Sequence, residues 1–113
     1  MAEIKDPIAF ELFKNSIFSI ADEMALTICR TTYSGVLRDN MDFSTAFAMA
    51  DGKLVAQGLT LPAHLGSIPT ALDVIVNRFG DMIQPEDMYI MNDPFDGGMH
   101  LPDIFIFKPI FFK

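Results

Sequence analysis

The sequence predicts a mixed α/β (α+β) fold: a long N-terminal helix packed on a mixed sheet, with a β-hairpin and a second helix. Three observations lead there. A wide apolar stripe at helical spacing runs through the first thirty residues. An Asp-Gly turn signal separates two short β-prone runs, and a second helical stripe lies between Ser67 and Gly80.

Asp6-Pro7 opens the first helix, with Asp as N-cap and Pro at the first helical position, where a missing N–H costs nothing. Leu12, Phe13, Ile17, Ile20, Ala21, Met24, Ala25 and Ile28 then recur at spacings of mostly three and four, which predicts one helix over residues 7–31. The breadth of the stripe predicts that most of it is buried, and Ser34-Gly35 ends it. The run from Asp42 to Met49, the turn Asp51-Gly52 and the run from Lys53 to Gln57 read as a hairpin, because Asp-Gly supplies the positive φ angles of a tight turn. Gly58 and Pro62 open a loop through Gly66. In the second helix, Pro69 sits in the first turn, Ala71, Leu72, Ile75, Val76 and Phe79 form the apolar face, and Gly80 stops it. Met88–Met91 reads as a short buried strand, and Ile104–Phe112 as an apolar strand interrupted at Pro109.

A length of 113 residues sets the scale at one domain, residues 1–113. No apolar run approaches the roughly 20 residues of a spanning helix, and the N-terminus has no uninterrupted apolar stretch of the secretory kind. The expectation is a cytoplasmic chain without a membrane. The single cysteine, Cys29, excludes an internal disulfide framework, and its place in the helical stripe reads as a small buried hydrophobe. The net charge is −7 and the eight basic residues are scattered, which argues against nucleic acid. The apolar run at the C-terminal end would want a neighbouring strand, so the chain is expected to be an incomplete portion of a larger domain, or to have an obligate partner there.

Chemistry concentrates in Asn92–Asp103, NDPFDGGMHLPD, which holds three carboxylates, a histidine and a Gly-Gly pair after a short apolar strand. Strand ends are where open α/β sheets place their sites. Gly97 and Gly98 give the backbone room for tight geometry or close approach of a ligand. His100-x-x-Asp103 brings one nitrogen and one oxygen ligand together, a mix that suits Zn²⁺, Mn²⁺ or Fe²⁺ better than Ca²⁺. Two ligands do not complete a site, and the third must come from Asp93, Asp42, His64 or beyond the chain. His64, before the second helix, could serve as a ligand, bind a substrate anion at the helix N-terminus, or simply satisfy backbone carbonyls. Arg38–Asp42 reads as a surface connection with a weak ion pair, or as a segment that delivers Asp42 to the His100 loop. There is no Gly-x-Ser-x-Gly elbow, phosphate-binding P-loop or dinucleotide-binding Gly-rich turn.

The motifs Asp6-Pro-Ile-Ala-Phe-Glu11, Arg30-Thr-Thr-Tyr-Ser34, Asp42-Phe-Ser44, Ala50–Gln57, Pro62-Ala-His-Leu-Gly66 and Asn92–Asp103 occur in an order similar to the hydantoinase B/oxoprolinase family. The resemblance covers nearly all of the chain, as the N-terminal portion of a B-type subunit. It implies a hydrolase acting on cyclic amides (hydantoins, 5-oxoproline, lactams) with consumption of ATP. A hydantoinase A-like partner of ATPase-like fold would bind the ATP, and the rest of the B-type subunit would complete a hetero-oligomer. The resemblance also implies a divalent metal, with His100 and Asp103 matching the family's His-x-x-Asp ligands and a further histidine ligand downstream. Asp42 and Asp93 match acidic positions in or beside that site, as a general base or as groups that orient the ligands. His64, Gly97 and Gly98 fall to the substrate. Two alternatives stand beside this: a subunit of an ATP-dependent ketone carboxylase on the same fold, and a non-catalytic assembly fragment.

Overall fold

The computed structural model describes residues 3–60, 64 and 66–112. Leu61, Pro62, Ala63 and Leu65, part of the expected loop before the second helix, lie outside the described residues. The chain divides into two compact units, residues 1–49 with 54–63 and residues 50–53 with 64–113.

In the first unit, helix α1 spans Pro7–Thr31, within the bounds its sequence predicts. Asp6 caps it: the side chain accepts from the Ile8 amide at 3.0 Å, satisfying one of the donors a helix start leaves without an intrahelical partner. A short helix α2, Gly35–Asn40, follows, where the sequence predicts the first helix to end and no helix to start. Met41 ends α2 in the left-handed region at φ 51°. The hairpin is formed by β1, Ala46–Ala48, and β2, Leu54–Gln57, paired antiparallel with a register irregularity between Phe47 and Ala48. Its turn carries Gly52 at φ 84°, and the Asp51 side chain accepts from the Lys53 amide at 3.1 Å.

The face that α1 presents to the hairpin is made of small residues. Ala21 and Ala25 are its buried positions, and Ala56 of β2 is buried with them. Small side chains let backbones approach closely, and hydrogen bonds fill the interval: the buried Thr45 hydroxyl donates to the Ala21 carbonyl at 2.9 Å, and the Leu59 amide donates to Asp22 at 2.9 Å. Gly58 is required at this seam, because a Cβ there would lie 2.8 Å from the Ala21 carbonyl oxygen and would collide with the Thr45 hydroxyl. Gly58→Ala should therefore cost about 1–3 kcal/mol, the ordinary range for overpacking, read as a lower urea midpoint at unchanged slope.

Burial along α1 departs from the expected stripe. Ile8, Phe10, Leu12, Phe13, Phe18, Ile20, Met24 and Leu26 are exposed; among the described residues of this unit the helix packs chiefly on the two-stranded hairpin and α2. Cys29 is half-buried rather than enclosed, with its sulfur 3.9 Å from the Leu37 carbonyl.

In the second unit, α3 spans Ile68–Phe79 with Pro69 in its first turn, and Gly80 at φ 44° leads into a 3₁₀ turn, Gly80–Met82. Strand β3, Tyr89–Met91, pairs antiparallel with β4, Phe105–Phe107. The strands thus form two antiparallel pairs among the described residues, where one mixed sheet was expected. Period-two alternation explains the burial of β4: Phe105 is buried and Phe107 half-buried on one face, with Ile106 exposed on the other. Met88–Met91, expected to be buried, is only half-covered, and Ile90 is exposed. Ile68, Ala71, Ile75 and Phe105 make the core of this unit, and the Phe79 ring packs on Tyr89 at 4.8 Å. Among the described residues no helix is long and apolar enough to cross a membrane.

Candidate metal centre

The loop between β3 and β4 is built by its own acidic residues. Asp93 caps a 3₁₀ turn, Pro94–Asp96, by accepting from the Phe95 amide at 2.9 Å. Asp96 meets Arg78 of α3 at 3.3 Å, an exposed pair of the kind that contributes little stability. Gly97 then turns the chain at φ 116° and brings it against the first turn of α3. A Cβ at Gly97 would lie 2.8 Å from the Ala71 amide nitrogen, and one at Gly98 would lie 2.9 Å from the Pro94 Cα. The side-chain direction of each glycine is therefore filled by protein. Close packing of the loop on itself and on α3 accounts for both.

Beyond the glycines the chain curls back at His100-x-x-Asp103. The two oxygens of Asp103 have different surroundings. Oδ2 accepts from the Met99 and His100 amides at 3.0 and 2.9 Å. Oδ1 faces His64 Nε2 at 3.5 Å and His100 Nδ1 at 3.7 Å. The three ligand atoms lie within 4.8 Å of one another. Burial raises the Asp103 carboxyl most strongly of any single influence. The two amide N–H groups, with His64 and His100 alongside, together outweigh it and hold the carboxyl below the ordinary carboxylate range.

His64 comes from the segment before α3 and is well covered, its side chain 17% exposed, whereas His100 is 63% exposed. The rings meet edge to face with centroids 6.1 Å apart. One side of the group is enclosed and the other opens to solvent. A first-row divalent ion bound at about 2.0–2.2 Å to N and O ligands sets those ligands roughly 3.4 Å apart in a tetrahedron. The His64–Asp103 and His100–Asp103 distances fit that spacing, and the exposed His100 ring is free to adjust. Two imidazoles and one carboxylate suit Zn²⁺, Mn²⁺ or Fe²⁺.

Of the residues singled out from sequence, the structure brings together His64, His100 and Asp103, and sets Gly97 and Gly98 in the loop that carries the latter two. Asp93 lies at the loop's start as a cap and does not join the cluster. Asp42 is exposed in the first unit, in the segment after α2, where its amide donates to the Val36 carbonyl at 3.3 Å. Sequence reasoning read Ser67 as the start of the second helix and Ala71 as part of its apolar face, and gave neither a part in the site; the Ser67 hydroxyl donates to the His64 carbonyl and Gly97 closes on Ala71. The available signal was a serine directly before the helical stripe, and it reads first as an ordinary cap.

The sequence model of the hydantoinase B/oxoprolinase family matches residues 6–113. The chain belongs to this family. Proteins similar to it include an uncharacterized protein of Methanocaldococcus jannaschii, 38% identical over 96% of this chain and 20% of its own length. The 5-oxoprolinase of Dictyostelium discoideum is 35% identical over 96% of this chain and 8% of its own length. The caprolactamase subunit beta of Pseudomonas jessenii is 33% identical, with coverage of 96% and 19%. The chain spans a fifth or less of the length of these relatives. No solved structure matches it.

Proposed function

We propose that this chain is part of the metal-binding subunit of an ATP-dependent hydrolase that opens cyclic amides such as hydantoins, 5-oxoproline or lactams. The observation that carries the reading is the convergence of His64 Nε2, His100 Nδ1 and Asp103 Oδ1 in a chain of this family. The names 5-oxoprolinase and caprolactamase subunit beta among the relatives support the substrate class. The subunit designation of the latter supports a partner chain, which we take to be a hydantoinase A-like subunit that binds ATP.

The chain's own residues have distinct parts in this reading. Asp103 divides its work: two amide N–H groups hold Oδ2, and Oδ1 is left to ligate. With Nε2 as the ligand atom of His64, the ring proton resides on Nδ1, and the converse holds for His100. The open side at His100 gives substrate and water access. A divalent ion held here supplies a bound water acidic enough to ionise near neutral pH, and it polarises a carbonyl oxygen. Asp93 is assigned as a group that orients the ligand-bearing loop, on the family resemblance and its capping bond to the Phe95 amide; Asp42 keeps only the acidic role that the resemblance implies. Gly97 and Gly98 shape the substrate-facing loop.

Elemental analysis of the purified protein after loading with Zn²⁺, Mn²⁺ or Fe²⁺ tests the proposal. Stoichiometric metal in the wild type and none in His100→Ala is the expected result, together with ring opening of 5-oxoproline or caprolactam only when ATP, the A-type partner and the rest of the B-type subunit are present. Absence of metal from the wild type would leave the assembly reading, in which the exposed apolar side of α1 binds another chain.

A further inference from the structure

We propose that Ser67 is a positioning residue for His64, an inference that rests on the metal reading of His64, His100 and Asp103. Ser67 occupies the N-cap of α3, where a serine hydroxyl ordinarily accepts from an amide of the first turn. Here it makes no such bond, and its backbone is helical, at φ −91° and ψ −25°, instead of extended. The hydroxyl turns the other way and donates to the His64 carbonyl at 2.7 Å. The Ser67 amide donates to the same oxygen at 3.1 Å. Two donors on one carbonyl define the peptide plane that leaves His64, and with it the direction from which the imidazole departs. Ser67 is only 7% exposed, so water is a poor substitute for either bond.

The same turn of helix holds the other half of the cluster. The Ser67 carbonyl accepts from the Ala71 amide at 3.0 Å, and Ala71, fully buried, is the residue against which Gly97 closes. The first turn of α3 therefore clamps His64 through Ser67 and seats the His100–Asp103 loop through Ala71. The serine forgoes its own helix cap to hold a histidine. With the hydroxyl committed to the His64 carbonyl, the cap position helps hold His64 and leaves the helix amides without that acceptor.

Titration of the purified protein with Co²⁺, followed by visible absorption, separates positioning from general stability. Ser67→Ala should weaken Co²⁺ binding by about 10–100-fold, the range for groups that orient a ligand, and Ser67→Thr, which keeps the hydroxyl, should restore wild-type affinity. In a His64→Ala background, Ser67→Ala should have no further effect on Co²⁺ affinity, although a purely structural role would lower Tm and affinity in both backgrounds alike. If Ser67→Ala does not fold, Ser67→Cys, of similar size but a weak donor, should show the same loss. Wild-type affinity in Ser67→Ala, or an equal loss with and without His64, overturns the proposal while leaving the metal reading intact. Absence of Co²⁺ binding by the wild type overturns both.

Discussion

Asp103→Asn should abolish metal binding while the chain stays folded, with affinity for Zn²⁺ or Mn²⁺ reduced by more than about 100-fold. Removing a group that merely orients a ligand costs about 10–100-fold, and loss of the ligand itself should exceed that. Asparagine preserves the shape, and its carbonyl oxygen can still accept from the Met99 and His100 amides. Its amide nitrogen, however, cannot replace Oδ1 as a ligand between His64 and His100. Asp103→Ala removes both functions, so it should lose metal and also about 1–2 kcal/mol of metal-free stability, because two backbone donors lose their acceptor. Isothermal titration with metal, paired with urea unfolding of the metal-free protein, checks the contrast. Equal metal affinity in wild type and Asp103→Asn would remove Asp103 from the site.

The same residue sets an acid limb. Its carboxyl lies below the ordinary range in the folded protein, so the unfolded chain takes up a proton at higher pH than the folded one. Its contribution to stability is therefore present above the unfolded value of about 3.9 and is lost as pH falls through the lower folded value. Asp103→Asn should lack this part of the acid dependence when unfolding is followed from about pH 5 downward through the ordinary carboxylate range.

Gly97→Ala carries the second large expectation, a destabilisation of about 2–6 kcal/mol. Two independent costs add. A non-glycine residue held in a sparsely populated positive-φ conformation costs about 1–3 kcal/mol, and Gly97 sits at φ 116°. Overpacking costs about 1–3 kcal/mol more, since the new Cβ would lie 2.8 Å from the Ala71 amide nitrogen and 3.2 Å from its Cβ. Part of the strain can be relieved by lifting the loop off α3, and that carries His100 and Asp103 away from His64. The variant should accordingly show weakened metal binding together with a lowered urea midpoint. A Gly97→Ala protein with wild-type stability would show that the approach of the loop to α3 is looser than the distances indicate.

Local signals were legible wherever one segment's chemistry determined its own conformation. Asp6-Pro7 started α1, Asp51-Gly52 turned the hairpin, Pro69 and Gly80 bracketed α3, and Pro109 fell beyond the end of β4. Each is a capping or φ preference expressed within a few residues. Burial was less legible, because apolar periodicity says which face is greasy and not what covers it. Ala21 and Ala25 of α1 form the buried seam, while Phe10, Leu12 and Phe13 of the same helix stand exposed. A side chain as small as alanine is buried when a neighbouring backbone comes close, as at Gly58, and that closeness depends on a contact across dozens of residues.

The site divides in the same way. By itself the sequence determined the family, through the order of its motifs, and one local pair of candidate ligands, because His100 and Asp103 are three residues apart and one turn of chain brings them together. Which other residue meets them was left open among Asp42, Asp93 and His64. Only the tertiary structure chose His64 among the described residues, through contacts that have no periodicity to read: Gly97 closing on Ala71, and Ser67 turning its hydroxyl back to the His64 carbonyl. A pair of ligands is a property of a short segment. Their completion depends on the packing of a helix turn that no local preference specifies.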